Sequence, residues 1–258
     1  MTLLLRAVLT IWAYLWVVAA TIFCGAFYLA GAPFDRRALW MDFWQDTYSR
    51  MILFGIGVHL TVEGTENVPR SQACVLMPNH RSYLDIPAVV LSVRGLSIRF
   101  VAKRELKRIP ILGWAVASSQ HIKVNRGNRE QAVAALREAT AKIHRGIALA
   151  IFPEGTRSPS DRLLPFKRGG VYVAVDTGFP ILPISIRDAG AIYGKMQLLF
   201  RPGNIHVVIH PPVSVEGHTR SDIDALVLEV RRAMLSGLPA SKALEEGEES
   251  APAKGDGA

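Results

Sequence analysis

The sequence predicts an α/β fold, in which a mostly parallel central sheet is flanked by helices and preceded by an N-terminal membrane-associated helical hairpin. Three observations lead to this prediction. An uncharged apolar run opens the chain, and short β-branched runs alternate with helical patterns from residue 60 onward. A content of 50% hydrophobic and 20% charged residues can bury a sizeable core, which excludes disorder for the main body of the 258-residue chain.

The apolar run at the N-terminus is long enough to form a membrane helix. Between Arg6 and Asp35 lie 28 residues without a charge, and about 20 apolar residues in a helix cross the hydrocarbon core of a bilayer. A signal peptide is the competing interpretation, because "AGA" before Pro33 resembles a small-residue cleavage site. Basic residues flank the run on both sides, which leaves its orientation open.

A second helix is predicted in the segment that follows, "RALWMDFWQDTYSRMILFGIGVHL". Its aromatic residues share one helical face, which suits a helix that lies in the membrane interface or packs back on the first: Trp40, Phe43, Trp44 and Tyr48. A buried amphipathic helix explains the same pattern. We assign residues 1–58 to the hairpin, 59–240 to the α/β domain and 241–258 to a C-terminal tail.

The body of the chain contains six runs that read as strands, at residues 73–77, 98–102, 121–124, 147–152, 181–186 and 205–210. A helical stripe of apolar residues lies between the third and fourth runs, with Asn128 as its N-cap and Gly146 as its end. Strand, helix and strand in this order imply crossover connections and a largely parallel sheet. Catalytic groups are then expected on loops that leave strand ends.

The charge is unevenly distributed along the chain. The net charge is +8, but residues 242–258 hold five acids and two bases, so residues 1–241 carry 28 bases against 17 acids. The tail has few large apolar residues and is expected to be disordered. The basic body would be attracted to anionic membranes, nucleic acid or phosphate-bearing substrates, but a soluble nucleic-acid binder does not account for the uncharged run. Two cysteines imply no disulfide framework and fit a reducing compartment.

The stretch "NHRSYLD" follows a predicted strand and places His80 and Asp85 five positions apart. A histidine can take a proton from a hydroxyl if a carboxylate holds its ring in the right tautomer, so this is a candidate catalytic pair. A hydrogen-bonded loop histidine is the equally open alternative. The other histidines show no metal-ligand spacing to the pair, so no metal is predicted. Ser82 raises a hydrolase alternative, but the glycine-flanked nucleophile elbow is absent.

A second cluster, "FPEGTRSPSDRLLPFKRGG" over residues 152–170, also begins where a strand ends. Glu154 can accept hydrogen bonds from substrate hydroxyls, Gly155 lets the backbone approach a ligand, and Arg157 offers a planar fork for a phosphate. A solvated turn would have the same composition. Lys167 and Arg168 precede a predicted helix start, where anions bind well. Six bases between residues 94 and 108 add positive charge.

These blocks together resemble the glycerolipid acyltransferase family, specifically the 1-acylglycerol-3-phosphate O-acyltransferases. The order "NHRSYLD", "HIKVNR", "FPEGTRS" and "FPILPISI" is similar to the four motif blocks of that family, and the similarity covers about residues 60–215. The second block departs from the family's frequent aromatic-hydrophobic-acid-arginine pattern, because Lys123, Val124 and Asn125 precede Arg126.

The resemblance implies transfer of a fatty acyl group from acyl-CoA or acyl-carrier protein to the 2-hydroxyl of lysophosphatidic acid, without a cofactor. His80 would be the general base, oriented by Asp85. The substrate-binding residues that it implies are Lys103, Arg126, Glu154, Gly155, Thr156 and Arg157. It also implies a protein at the inner (cytoplasmic) membrane, with its catalytic domain on the cytoplasmic side and membrane lipids as partners.

Several alternatives remain open from the sequence. The acceptor could be glycerol 3-phosphate or another lysolipid, including one without a phosphate. The chain could also be a non-catalytic membrane-binding module that keeps the motifs only for their structure. Chain-length preference, the thioester donor and the oligomeric state are not encoded in the motifs.

Overall fold

The computed structural model describes residues 2–35, 38–70, 72–103, 110–119, 121–124, 138, 141, 147–160 and 162–239. Its helices are α1 (Leu3–Gly31), α2 (Leu39–Gly55), α3 (Asp85–Ser92), α4 (Leu112–Ser118), α5 (Gly169–Thr177), α6 (Ala189–Tyr193) and α7 (Ile223–Ser236). Its strands are β1 (Val58–Glu63), β2 (Val75–Pro78), β3 (Ile98–Lys103), β4 (Ile122–Val124), β5 (Ala148–Ala150), β6 (Ile181–Arg187) and β7 (Gly203–Ile209).

The strands form one seven-stranded sheet in the order β1-β7-β6-β2-β5-β3-β4. Every neighbouring pair is parallel except β6 and β7, which are antiparallel. The predicted α/β class with a mostly parallel sheet is therefore confirmed, and all six predicted runs contain strands. β1 is not among them, because its first three residues, Val58 to Leu60, fall at the end of the segment predicted as the second helix. That helix ends at Gly55, and the alternating sequence "VHLTVE" pairs with β7 at the sheet edge.

Helices cover both faces of the sheet. One face packs against the N-terminal helices and α3, through buried residues that include Ala20, Leu53 and Val89. The other face packs against α5 and α7, through residues that include Val173 and Val230. β2 lies in the middle of the sheet and all its residues are buried, which is why its sequence "VLMP" is apolar without alternation.

The two N-terminal helices pack against each other. The indole N–H groups of Trp12 and Trp16 on α1 donate to carbonyls at the end of α2, each at 2.7 Å, and Phe27 stacks on Trp44 with ring centroids 5.3 Å apart. The run Leu3–Phe34 is long and apolar enough to cross a membrane, by length and composition. One face of α1 is nevertheless buried by protein through Thr10, Ala13, Ala20, Cys24, Gly25 and Tyr28.

A buried ion pair fastens α2 to the sheet. The guanidinium of Arg99 on β3 is fully buried and donates from Nη1 to Asp42 Oδ1 at 2.6 Å. The hydroxyl of Ser97 donates to the other carboxylate oxygen of Asp42 at 2.7 Å. Because a buried arginine without its counter-ion is costly, this pair fixes where α2 lies on the sheet.

Some predictions fall outside the described residues. Only Glu138 and Ala141 of the helix predicted over 128–146 are described, and both are helical. Arg126 and the tail over 241–258 lie outside the described part of the chain.

Candidate active site

Three loops meet at one edge of the sheet. β5, β2 and β6 are adjacent and parallel, so the loops that follow them leave from the same edge. These loops carry the block around His80, the block around Glu154 and helix α6. This is the arrangement in which open parallel sheets place their ligand sites.

The side chain of Asn79 extends the pairing of β2 with β6 beyond the end of the strand. Its amide donates to the carbonyl of Ile186 at 3.0 Å, and its carbonyl accepts from the Ile186 N–H at 2.6 Å. Asn79 is buried, and both of its hydrogen-bonding functions are satisfied by one residue of β6. The side chain thus takes the place of a backbone peptide, and the main chain is released to turn at His80.

His80 and Asp85 are hydrogen-bonded. The His80 Nδ1 to Asp85 Oδ2 distance is 2.8 Å, and the same oxygen accepts the backbone N–H groups of Arg81 at 2.6 Å and Ser82 at 2.7 Å. The carboxylate is buried at the first turn of α3. A carboxylate at Nδ1 favours the tautomer with its proton on Nδ1, so Nε2 is the basic nitrogen.

The imidazole is held from one side and reachable from the other. Its ring stacks on Phe152, with centroids 4.0 Å apart and planes at 23°. The His80 side chain keeps 13% of its surface exposed, whereas that of Asp85 keeps 1%. The pair therefore has a buried acidic end and an accessible basic end, which is the polarity that general-base chemistry requires.

The loop after β5 clamps the main chain of His80. The His80 N–H donates to Glu154 Oε1 at 2.7 Å, and the His80 carbonyl accepts the N–H of Ser158 at 2.8 Å. Glu154 Oε2 accepts the N–H of Leu164 at 2.9 Å, so both carboxylate oxygens bind backbone. Burial raises the pKa of Glu154 to about 7, against the opposing effect of these two hydrogen bonds.

Cationic side chains surround the turn at Gly155. The guanidinium of Arg157 lies 3.7 Å from the centre of the Tyr83 ring, and Lys195 donates to the Arg157 carbonyl at 3.3 Å. Gly155 adopts φ +70°, and a Cβ there would come within 2.8 Å of Lys167. A glycine is therefore needed both for the left-handed turn and for the passage of the lysine chain.

The structure brings together His80, Asp85, Glu154, Gly155 and Arg157 from the predicted site. Thr156 lies exposed on the same turn. Lys103 is the last residue of β3, on the far side of β5 from His80, and its side chain is not described. The roles of all these residues stay predictions. Within the described residues, no group of three or more His, Cys, Asp or Glu side chains could hold a metal ion.

Ser82 is placed for a structural purpose. Its hydroxyl donates to the Tyr193 carbonyl at 2.7 Å and accepts the N–H of Leu84 at 3.1 Å, and it is fully buried. A hydroxyl that is engaged in this way does not face an incoming carbonyl, which argues against a serine nucleophile.

Sequence reasoning missed four residues that build the site. Asn79, Ser158 and Tyr83 lie within or beside the recognised blocks, but their functions depend on contacts with other parts of the chain. Phe152 ends the predicted strand run 147–152 and begins the second cluster, but the sequence predicts no role for its ring. Their position in the sequence was the one usable signal, because each lies in or next to a polar block at the end of a predicted strand, where functional side chains are common.

Comparison with known proteins assigns this arrangement to a family. The family model described as Acyltransferase matches residues 59–187, half of the chain. The chloroplastic 1-acyl-sn-glycerol-3-phosphate acyltransferase of Brassica napus is 35% identical over 154 residues, which cover 59% of this chain and 44% of that protein. The corresponding alpha enzyme of Homo sapiens is 34% identical over 181 residues, which cover 70% of this chain and 64% of that protein.

A solved structure agrees over nearly the whole fold. The crystal structure of the 1-acyl-sn-glycerophosphate (LPA) acyltransferase from Thermotoga maritima superposes with a TM-score of 0.77 at 29% identity, covering 91% of this chain and 95% of that one. The sequence matches span less than two thirds of the Brassica and human relatives. The region matched by the family model contains β2 to β6 and every residue of the His80 and Glu154 blocks, and the chain belongs to the acyltransferase family.

Proposed function

We propose that the protein transfers a fatty acyl group from a thioester to the 2-hydroxyl of 1-acylglycerol 3-phosphate and so forms phosphatidic acid. The observation that supports this most directly is the His80–Asp85 pair, with its buried carboxylate and its accessible imidazole. The activity in the names of the Brassica, human and Thermotoga relatives supports the same reaction.

The proton moves through one residue in this mechanism. His80 Nε2 takes the proton of the acceptor hydroxyl as its oxygen attacks the thioester carbonyl. The tetrahedral intermediate then collapses: the carbon–sulfur bond breaks, the ester remains, and the imidazolium returns the proton to the leaving thiolate. Asp85 stabilises the imidazolium and does not itself take the proton. No acyl-enzyme is needed.

The acceptor's phosphate requires cations near this path. Arg157 presents its guanidinium over the Tyr83 ring on the same side of the fold as His80, and Lys195 binds the carbonyl of Arg157. A planar guanidinium suits bidentate binding of a phosphate. We assign Arg157 to this phosphate, with Lys103 and Arg126 as the further cations that the family resemblance implies.

The turn at residues 155–157 supports the reacting groups. The Gly155 N–H donates to the Phe152 carbonyl at 3.0 Å. We therefore assign the contact with the developing oxyanion to the N–H groups of Thr156 and Arg157. Glu154 binds two backbone amides, so its contribution is to hold His80 in place, and the proposed contact with the glycerol hydroxyl would add to that.

The partners follow from the chemistry. Acyl-CoA or acyl-carrier protein supplies the thioester, and no other cofactor takes part. The acceptor and the product both live in a bilayer, so the apolar N-terminal helix has the purpose of holding the site at the membrane. We place the catalytic domain on the cytoplasmic side, where thioester donors are made.

The test is acyl transfer by the purified protein in detergent, from palmitoyl and oleoyl thioesters to lysophosphatidic acid, glycerol 3-phosphate and phosphate-free lysolipids. His80→Ala should lower turnover by about 10² to 10⁴. His59→Ala, at an exposed position of the edge strand β1, is the matched control and should be as active as the wild type.

Each acceptor result has one meaning. Conversion of lysophosphatidic acid that is lost in His80→Ala supports the proposal, and Arg157→Lys should then raise KM for that acceptor more than it lowers kcat. Preference for a phosphate-free lysolipid would keep His80 as the base and remove Arg157 from acceptor binding. Equal turnover in His80→Ala would remove the base assignment, and no transfer to any acceptor would favour a non-catalytic membrane-binding module.

A further inference from the structure

The loop that follows α6 exposes apolar side chains beside the candidate active site. Among the described residues after Gly55, large hydrophobic side chains are exposed at Tyr83, Ile86, Trp114, Met196, Leu198 and Leu228. The two most exposed are Met196 at 80% and Leu198 at 82%, and they stand two positions apart in one short loop. We call residues 194–198, "GKMQL", the 194–198 loop.

The 194–198 loop is an ordered turn. The Gln197 N–H donates to the Gly194 carbonyl at 3.2 Å, and the Gln197 side chain accepts the Gly194 N–H at 3.3 Å. Gly194 also forms an antiparallel bridge with Ser82, within the catalytic block. Met196 is therefore held outward by a closed turn, and fraying of a chain end does not explain its exposure.

The segment 193–200 runs along α1. Arg6, Thr10 and Tyr14 lie on one stripe of that helix, and they contact Leu199, Phe200 and Tyr193 respectively. The Phe200 N–H donates to the Thr10 hydroxyl at 2.9 Å, and the hydroxyls of Tyr14 and Tyr193 are 2.5 Å apart. The Arg6 guanidinium donates to the Leu199 carbonyl at 3.5 Å.

The exposed apolar surface of α1 adjoins this contact. Leu3, at 72% exposed, lies nearly one turn before Arg6, and Ile11, at 61% exposed, lies nearly one turn before Tyr14. The apolar surface thus continues from α1 onto the 194–198 loop across the contact between that helix and the segment 193–200. Around it lie the half-exposed rings of Tyr14 and Tyr83 and the cation of Lys195. Tyrosine rings and lysine beside long aliphatic side chains are the composition that proteins present to the headgroup boundary of a bilayer.

We propose that the 194–198 loop is a second membrane contact, which inserts Met196 and Leu198 into the acyl region of the same phospholipid leaflet that α1 enters, with Lys195 among anionic headgroups. The occupant is a lipid bilayer, because the surface is continuous with the apolar face of α1 and is flanked by basic residues. This inference rests on membrane association of α1 and does not depend on acyl transfer. It places Arg157 and its side of the candidate active site near headgroup depth, since Lys195 donates to the Arg157 carbonyl.

The test is depth-dependent quenching in the full chain. Met196→Cys is labelled with the environment-sensitive fluorophore NBD and reconstituted into vesicles of phosphatidylcholine with phosphatidylglycerol, and the vesicle-bound fraction is isolated by flotation. Leu228→Cys, 49% exposed on α7, is the matched control. The two native cysteines should react little with the label, because both are buried and burial raises the pKa of Cys74 to about 12. The fluorescence of the unmodified chain after the same labelling gives the background.

The label at position 196 should brighten severalfold, shift to the blue and be quenched by lipids that carry a nitroxide on the acyl chain. The label at position 228 should not change. Emission from position 196 that matches position 228 in the same vesicle-bound fraction would overturn the proposal. So would a change at position 196 that requires an added protein and does not occur with vesicles alone.

A paired change separates this inference from the proposed function. Replacing Met196 and Leu198 together by serine should lower acyl transfer to lysophosphatidic acid in vesicles by about tenfold, with unchanged turnover in detergent micelles. An equal loss in both media would contradict a membrane contact and indicate a damaged site. If the wild-type chain transfers no acyl group but position 196 is quenched by lipid, the proposed function fails and the membrane contact stands.

Discussion

Replacing Asp85 by asparagine isolates the charge of the carboxylate. Asp85 Oδ2 accepts all three hydrogen bonds, from His80, Arg81 and Ser82, whereas the buried Oδ1 has no partner among the described residues. The amide oxygen of Asp85→Asn can take the place of Oδ2, and its NH₂ group can take the place of Oδ1, so no donor loses its acceptor. The tautomer of His80 is then kept while the negative charge opposite its ring is lost.

The expected losses can be worked out from these three bonds. A hydrogen bond to a charged group contributes about 1.5–3 kcal/mol and a neutral one about 0.5–1.5. The bond to His80 alone then loses about 1–1.5 kcal/mol, and the charge that stabilised the imidazolium adds to this, which gives a fall in turnover of about 10- to 100-fold. Asp85→Ala would leave three donors without this acceptor in a buried site, at about 1–3 kcal/mol each, and should lower the free energy of unfolding by about 3–9 kcal/mol.

The assay is release of free thiol from palmitoyl-CoA with lysophosphatidic acid in detergent, beside thermal unfolding of each variant. Asp85→Asn should be slower and should unfold somewhat below the wild type, because all three hydrogen bonds lose the charge of their acceptor and the buried NH₂ group gains no acceptor. Asp85→Ala should unfold at a clearly lower temperature than either. Wild-type turnover in Asp85→Asn would refute the view that this charge stabilises the imidazolium. A loss as large as that of His80→Ala, in a variant that is still folded at the assay temperature, would show that the asparagine does not keep the tautomer.

Three further predictions concern the surroundings of the pair. Because burial raises the pKa of Glu154 from 4.5 to about 7, the folded chain keeps a proton there that the unfolded chain releases. Its contribution to the free energy of unfolding should fall as pH rises from about 4.5 to 7, by up to about 1.4 kcal/mol per pH unit, and urea titrations of Glu154→Gln should lack this slope. Ser82→Ala should keep turnover within a few-fold and cost about 2–6 kcal/mol in stability, because the Tyr193 carbonyl and the Leu84 N–H both lose their partner. A complete loss of thiol release in the folded variant would revive the nucleophile. Asp42→Ala should destabilise by about 3–5 kcal/mol in the same titrations because Arg99 stays buried. The control Asp46→Ala, whose partner Arg50 is half exposed, should cost under about 1 kcal/mol.

The sequence predicted the fold class because its signals there are local. Short β-branched runs, each between turn or helix signals, marked six strands, and the uncharged run marked α1. β1 was missed because only its pairing with β7, more than 100 residues away in the chain, distinguishes "VHLTVE" from the end of a helix. The antiparallel pairing of β7 with β6 depends likewise on which strand edge is open to β7, and no local sequence pattern encodes that.

In the candidate site, too, contacts between residues close in sequence could be predicted and contacts between distant residues could not. His80 and Asp85 are close in sequence, so their hydrogen bond could be anticipated. The partners of Glu154 could not be anticipated. The sequence of a polar loop is the same whether its carboxylate binds a substrate hydroxyl or the backbone of His80, 74 positions away. The contact of Arg157 with Tyr83 is also non-local, since it depends on two loops meeting at one sheet edge.

The amide of Asn79 has a consequence for how this chain could diverge. It donates to the carbonyl of Ile186 and accepts from its N–H. An ionised aspartate at position 79 would have no donor for that carbonyl, and the side chain of glutamine would be one methylene too long to make both bonds. A serine or alanine would leave both peptide groups of a central strand without partners in the interior. The position before the histidine therefore admits little substitution, because its side chain is buried and bound to the sheet. The chemistry at position 80 could be replaced or lost while Asn79 is retained for the sheet alone.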